Sequence, residues 1–347
     1  MAYGHAWPGA CIGARVYPRG VLEPEPIRFR AGNLTLAGEL LLPGEPSPDA
    51  RRQIPWVLLL PSWMPRDRDG VFDDDRHSAW FGQGPMAPLR PGLLRRLAEA
   101  LADLGVASFR YDTRGCGESE GDWAATDLFT RIDDARDALG AMRSRRELDL
   151  ARTGIVGHGE GAAIGLSVAI ADPAVGALTL IGASARSLRH QLRRGAATRA
   201  RTGADLQHPL VAALDRWSEE LIERSDRREP ELALRLPGLP RERVTLNLAG
   251  WEQGFHTPAI ALATMLHRSV SLVHGAVDAW SHPDEAELLR SVLEAAGNQA
   301  DLRVIAGAGH ELAEAPDEAV AAVAGDLAAR LVARPLPAVL LAIQEMG

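Results

Sequence analysis

The segment GIVGHGEGAAIG, residues 154–165, passes from a short apolar run into closely spaced glycines. This pattern predicts a buried strand, a tight turn and then a helix, which is the arrangement of the G-x-S-x-G motif. The centre of that motif is serine, whereas this chain has Gly159 there, between His158 and Glu160. The segment therefore predicts the backbone of a nucleophile site without the nucleophile.

Short apolar runs alternate with longer amphipathic segments on both sides of this turn. Such alternation predicts crossover helices packed on a mostly parallel sheet, and hence an α/β fold class. An antiparallel strand pair is expected at 26–44, and further strands at 56–61, 106–112, 153–158, 177–182, 269–275 and 301–307. Helices are expected at 93–105, 127–144, from about 160, at 284–297 and at 316–333.

The chain of 347 residues is long enough for one enlarged domain with an insertion. Residues 186–268 are polar, arginine-rich and mostly helical in character, and we interpret them as a helical lid. They divide the predicted core into 26–185 and 269–335. Residues 1–25 are then an N-terminal arm and residues 336–347 a C-terminal tail.

Composition and charge exclude several function classes. A formal charge of −8 argues against general nucleic-acid binding, which requires a basic face. The two cysteines cannot form a disulfide framework, which favours the cytoplasm, and no apolar run approaches the length of a membrane span. We therefore expect a cytoplasmic protein with a small-molecule substrate and without nucleic-acid or membrane partners; a homodimer stays open.

Four motifs in chain order resemble the α/β-hydrolase superfamily, and within it the serine-aminopeptidase-like branch that includes exosortase-associated hydrolases. They are RYDTRGCGESEG at 110–121, the turn described above, HGAVDAW at 274–280 and GAGHEL at 307–312. The resemblance covers about residues 26–335. It implies an α/β-hydrolase fold, with a mostly parallel central sheet, flanking helices and a lid. We expect no cofactor. We also expect no metal, because the run of Asp73, Asp74 and Asp75 has no histidine at metal-ligand spacing beyond His77 and is interpreted as a solvated turn.

The resemblance assigns Asp278 as the catalytic acid and His310 as the base. Such a pair leaves a working general base or acid even when no hydroxyl stands beside the imidazole. Gly159 should adopt the positive φ of the turn at little cost, and its missing side chain should leave a gap of roughly one water. The backbone N–H groups of Glu160 and Trp63 are the expected oxyanion site.

Two residues are candidates to replace the missing nucleophile, namely Ser62 and Cys116, although the backbone of Ser62 is expected to serve the oxyanion site.

Arg186, Arg189 and Arg193 would share one helical face and hold an anionic substrate group, with a solvated face as the alternative. Tryptophans could line an apolar pocket, with packing inside the lid as the alternative. The residues expected to contact substrate are Ser62, His158, Trp80, Arg186, Arg189, Arg193, Trp217 and Trp251.

Three functional hypotheses follow from these residues. The first is acid/base chemistry by Asp278 and His310 on a medium-sized carbonyl or acyl compound: elimination, epimerisation, cyclisation or direct water attack, in specialised metabolism. The second is a serine ester, thioester or amide hydrolase in which serine at position 159 has been replaced by glycine. The third is a ligand-binding pseudohydrolase without catalysis.

Overall fold

The computed structural model describes residues 23–44, 53–62, 65–71, 92–123, 125–202, 209–235, 243–248 and 258–332. Most of the predicted arm at 1–25 and the whole of the tail at 336–347 lie outside the described residues. Trp63, Trp80 and Trp251 also lie outside them, so their assigned contacts stay predictions.

The described strands form one large sheet and one small one. In chain order they are β1 (Glu25–Ala31), β2 (Leu34–Leu41), β3 (Ile54–Leu60), β4 (Ala107–Tyr111), β5 (Leu148–His158), β6 (Val175–Ile181), β7 (Glu231–Arg235), β8 (Arg243–Asn247), β9 (Val270–Gly275) and β10 (Ala300–Ile305). The 8-stranded sheet has the order β1-β2-β4-β3-β5-β6-β9-β10. Within the described part of this sheet, β2 pairs antiparallel with β1 and with β4, and the other neighbouring strands pair parallel.

Helices cover both faces of this sheet. The described helices are α1 (Leu93–Asp103), α2 (Leu128–Arg143), α3 (Glu160–Ala171), α4 (Leu188–Thr202), α5 (Pro209–Asp226), α6 (Ala259–Ala263), α7 (Pro283–Ala295) and α8 (Asp317–Val332). Helices α1 and α8 pack on one face, and α2, α3, α6 and α7 pack on the other. Because the central strands are buried on both faces, they are continuous apolar runs such as Trp56–Leu60. No helix in the described ranges is long and apolar enough to cross a membrane.

This architecture confirms the predicted α/β-hydrolase fold. The strands and helices predicted for the core are present, with ends that differ by a few residues, and β5 begins earlier than predicted, at Leu148. The prediction for residues 186–268 was incomplete, because β7 and β8 form an antiparallel pair there. Their alternating apolar residues pair across the strands, Leu232 with Leu246 and Leu234 with Val244. The role of the segment as a lid stays a prediction.

A buried ionic network anchors the loop that follows β3. The Arg110 side chain is fully buried and donates to Asp69 and to Glu39, both at 2.9 Å. Arg68 donates through Nη2 to Asp112 at 2.5 Å and through Nη1 to Glu39 at 3.1 Å. Removing one partner of such a pair leaves a buried charge uncompensated and costs about 3–5 kcal/mol. The loop is therefore fixed to β2 and β4.

Candidate active site

The carboxyl ends of the central parallel strands bring the candidate site residues together. Leu60 of β3 pairs with Gly157 of β5, and the next strand pairs Ile181 with His158. The residues that follow these strand ends therefore lie side by side, as is usual for ligand sites in α/β sheets. They are Ser62, Gly159 and Gly182, together with Asp278 after β9 and His310 after β10.

Gly159 has the backbone of a nucleophile turn, with φ 56° and ψ −114°. This positive φ agrees with the expectation that glycine relaxes the turn. A Cβ at position 159 would collide with Ser62 Oγ and would lie 3.1 Å from His310 Nε2. The prediction of a water-sized gap beside the histidine is therefore wrong, because the side chain of Ser62 reaches in from the neighbouring loop and fills it.

Ser62, His310 and Asp278 form a continuous hydrogen-bonded chain. Asp278 Oδ2 accepts from His310 Nδ1 at 2.8 Å, which assigns the Nδ1–H tautomer to His310. His310 Nε2 is then an acceptor, and it lies 3.3 Å from Ser62 Oγ. The geometry is that of a serine, histidine and aspartate triad, with the serine supplied by the end of β3.

Three groups donate hydrogen bonds to the carboxylate of Asp278, and a second histidine lies close to it. Besides His310, the backbone N–H groups of Trp280 and Ser281 donate to Oδ1, at 2.8 and 2.9 Å. His274 Nε2 lies 3.4 Å from Oδ2 and is also bonded to the carbonyl of Ser281 at 2.5 Å. Burial acts to raise the pKa of Asp278, but the neighbouring histidines and N–H groups outweigh burial and lower that pKa. His274 was not predicted as a site residue, although it stands four residues before Asp278 in the sequence.

The electrostatics of His310 favour its protonated form. Burial acts to lower its pKa, but the carboxylates of Asp278 and Glu311 outweigh burial, so that the pKa of His310 is raised above its ordinary value. The approach of the ring also requires Gly182, which has φ 58°, since a Cβ there would lie 3.0 Å from the His310 ring. The His310 ring is therefore tightly enclosed, and the carboxylates beside it raise its pKa.

His158 is a supporting residue, and the prediction that it binds substrate is wrong. It is fully buried, and its Nε2–H donates to the carbonyl oxygen of His310 at 2.9 Å. The two rings lie 4.9 Å apart. Burial lowers the pKa of His158 to about 4, with the nearby Glu311 opposing that shift. His158 therefore stays neutral, and its hydrogen bond supports the backbone of His310.

The pKa values of His310 and His158 should be shifted in opposite directions from the ordinary value of a histidine. We expect NMR titration to show the His310 ring with a pKa above the ordinary 6.5 and the His158 ring with a pKa of about 4. Because the folded pKa of His158 is lowered, its neutral form contributes stability above pH 6.5, and this contribution is lost as pH falls toward 4. Spectra of His158→Gln and His310→Gln assign the signals. A His310 ring that titrates below its ordinary value would contradict the arrangement.

Glu160 begins α3 and lines the cavity. Its backbone N–H is one of the four that a helix start leaves without an intrahelical partner. Its side chain accepts from Arg131 Nη1 at 2.8 Å, which fixes the first turn of the helix. Glu160 thus retains the position expected of an oxyanion donor. The second donor, Trp63, lies outside the described residues.

A cavity that is partly open to solvent lies over these residues. Its polar lining includes Ser184, Arg186 and Gln191. Its apolar lining comes from small and aliphatic side chains and one aromatic ring: Leu128, Ala162, Ala163, Leu188, Ala259 and Trp280. Trp217, on α5, lies outside this lining, contrary to its predicted contact. The cavity can therefore accept a partly apolar compound beside Ser62.

Of the three arginines predicted to hold an anion, only Arg186 lines the cavity. It forms an ion pair with the buried carboxylate of Glu285. Arg189 pairs with Asp226, and Arg193 pairs with Glu219 at 2.8 Å. The predicted anion site is therefore wrong for Arg189 and Arg193, because acidic residues of α5 neutralise them.

Two other chemistries have limited support among the described residues. Cys116 is fully buried and lies outside the cavity lining, so Ser62 is the better placed nucleophile. His158, His310 and Glu311 could bring ligand atoms within 4.8 Å of one another. However, both Glu311 oxygens accept from Arg66, and His158 Nε2 donates to a carbonyl. These donors are already used by the protein, and we assign no metal.

Several solved structures share this fold. DcsB, in complex with its substrate analogue, is 14% identical with a TM-score of 0.62, covering 90% of this chain and 100% of that one. Est1E from Butyrivibrio proteoclasticus, with bound ferulic acid, is 13% identical with a TM-score of 0.58, covering 89% and 100%. A Pyrococcus furiosus esterase is 14% identical with a TM-score of 0.59, covering 95% and 99%. At these identities the likeness shows the fold alone.

A curated relative matches over a shorter length. It is a putative S-adenosyl-L-methionine-dependent methyltransferase from Mycolicibacterium gilvum (strain PYR-GCK), 32% identical over 125 residues. The match covers 35% of this chain and 38% of the length of that protein.

Residues 91–317, more than half of the chain, match the family described as serine aminopeptidase, S33. The match includes Gly159, Asp278 and His310, and the strand order around them is that of an α/β-hydrolase. The chain therefore belongs to the serine aminopeptidase S33 family of α/β-hydrolases.

Proposed function

We propose that this chain is an acyl hydrolase whose nucleophile is Ser62, acting on a medium-sized and partly apolar ester or thioester. One observation carries the proposal. Ser62 Oγ occupies the space of a side chain at position 159 and lies within hydrogen-bond reach of His310 Nε2. A hydroxyl with an oriented base beside it is the arrangement that activates serine.

The reaction follows from this arrangement. His310 Nε2 takes the proton of Ser62 as Oγ bonds to the substrate carbonyl carbon, while Asp278 stabilises the imidazolium. The N–H of Glu160 stabilises the negative oxygen of the tetrahedral intermediate. Collapse breaks the bond to the leaving group, which takes the proton from His310. Water, deprotonated by His310, then releases the acid and restores Ser62.

The cavity supports the assignment of substrate class. Its lining combines small and apolar side chains with a few polar ones around the Ser62 hydroxyl, which suits a partly apolar acyl compound. Solved structures of the same fold include a Pyrococcus furiosus protein named as an esterase. We do not assign to this chain the methyltransferase activity named for the Mycolicibacterium gilvum relative, because that match covers only 35% of this chain and 38% of that protein.

Covalent labelling tests the proposal directly. We expect a fluorophosphonate probe to modify the full-length chain once, with the modified peptide containing Ser62, because only an activated hydroxyl reacts with it. Ser62→Ala should lose the label completely. The matched control is Ser167→Ala, since the Ser167 hydroxyl bonds the carbonyl of Ala163 within its own helix and lies outside the cavity lining. Label on another residue, or on Ser62→Ala, would contradict the assignment.

Acid/base chemistry without an acyl-enzyme is the second candidate, and the glycine at position 159 favours it. In that case His310 would act on the substrate directly, and Ser62 would only contact it. Turnover of an authentic substrate would then require His310 but survive Ser62→Ala. Binding without any product, unchanged in His310→Ala, would instead support a pseudohydrolase.

A further inference from the structure

The contacts that hold Ser62 in place must differ from those that would hold a serine at position 159. A serine at position 159 would be held by the short turn between β5 and α3. Ser62 instead lies two residues past the end of β3, at the start of a loop. Catalysis then requires that this loop stay fixed relative to the separate loop that carries His310.

One ion pair joins these two loops. Arg66, four residues after Ser62, donates through Nη1 to Glu311 Oε2 at 2.9 Å and through Nη2 to Glu311 Oε1 at 2.7 Å. Arg66 is 2% exposed. Its Nη1 also donates to the carbonyl of Gly70 at 2.7 Å, and the Thr113 hydroxyl donates to the Arg66 carbonyl at 3.1 Å. The Arg66 end of the pair is therefore held in a defined position by its neighbours.

We propose that Arg66 and Glu311 are positioning residues, whose two-pronged ion pair holds the Ser62 loop against the His310 loop and keeps Ser62 Oγ beside His310 Nε2. This inference rests on the proposed role of Ser62. Arginine is suited to the task because its planar fork makes two parallel hydrogen bonds to a carboxylate, which lysine cannot do. A displacement of about 1 Å at the reacting atoms costs on the order of 10²-fold in rate.

The pair also has an electrostatic signature at the base. Glu311 acts to raise the pKa of His310, and Arg66 acts to lower it. Neutralising Glu311 should therefore move the acid limb of a His310-dependent reaction to lower pH, and neutralising Arg66 should move it to higher pH. A role confined to stability would not produce opposite shifts. The charged or titratable groups that face His310 from the surrounding elements are Asp278, His274, His158, Glu311 and Arg66.

The experiment measures the rate of fluorophosphonate labelling against pH in Glu311→Gln, Arg66→Met and Arg66→Lys. We expect the first two to label about 10- to 100-fold more slowly on the pH plateau, with acid limbs shifted in opposite directions. Arg66→Lys should be intermediate, with the acid limb of the parent chain, because it keeps the charge but loses the fork. The matched control is Arg145→Met, which removes a similar two-pronged pair with Glu25 far from the site.

Each outcome is decisive. Glu311 is 37% exposed, so Glu311→Gln is expected to fold even if the variants of buried Arg66 do not. Labelling of Glu311→Gln at the parent rate, or shifts of both limbs in the same direction, would overturn the inference while leaving Ser62 as the nucleophile. Equal slowing by Arg145→Met would also overturn it. If the parent chain takes no label at Ser62, the proposed function fails, and this inference fails with it.

Discussion

His310→Ala is expected to lower kcat/KM for an activated ester by about 10⁴-fold or more, because in the proposed reaction His310 deprotonates Ser62 and protonates the leaving group. Asp278→Asn should approach the same loss, since the amide can present its NH₂ to Nδ1 and favour the wrong imidazole tautomer. Steady-state kinetics on purified variants measure both. Unfolding curves show whether each variant is folded.

The control for this pair is His267→Ala, which removes an exposed histidine outside the cavity lining. It should keep the parent rate. The effects of His310→Ala and Ser62→Ala should also be strongly non-additive, because the two groups act as one unit. A double variant whose fold-loss of kcat/KM equals the product of the two single fold-losses would show that Ser62 and His310 act in separate steps.

Gly159→Ser, combined with Ser62→Gly, is expected to move the fluorophosphonate label from residue 62 to residue 159. The second substitution removes the side chain that would otherwise collide with the new one, since a Cβ at position 159 would lie 2.9 Å from Ser62 Cβ. The new Cβ would lie 3.1 Å from His310 Nε2, which leaves its hydroxyl within reach of the base. Peptide mapping of the labelled protein gives the modified residue.

Gly159→Ser alone should be the worse variant, because it combines the collision with Ser62 and a positive φ that costs about 1–3 kcal/mol for a residue with a side chain. We expect slower labelling than in the parent chain and a lower free energy of unfolding. If the single variant instead labels at residue 159 and gains activity, serine is the original nucleophile there and Ser62 a side chain that moves aside. That result would favour the replaced-serine hypothesis.

The core could be predicted from the sequence because its strands are buried on both faces and its helices are amphipathic. Both patterns can be recognised in a single sequence, and together they predict the order of the strands and helices. The β7 and β8 pair was harder, since each strand has five residues and lies in a segment dominated by arginine and helical patterns. Short strands depend on their cross-strand partners, which a local pattern does not reveal.

The site was predictable where it depends on the backbone and on motif order, as at Gly159, Asp278 and His310. Ser62 could be named only as one of two candidate nucleophiles, because the position of its loop, and not the residue type, brings its hydroxyl beside His310. The prediction that Arg189 and Arg193 bind an anion was wrong for a similar reason. Their acidic partners lie on another helix, 37 and 26 residues further along the chain. Charges that look unpaired in sequence are often paired in space.

The separation of Ser62 from His310, 248 residues along the chain, also matters during protein synthesis. Strands β1 to β6 are adjacent in the sheet and are made first, whereas β9 and β10 complete its far edge. At about 5–20 residues per second, a ribosome needs on the order of ten to fifty seconds between these two residues. The nascent chain therefore carries Ser62 well before His310, and the proposed pairing of the two side chains can form only after β9 and β10 have been added.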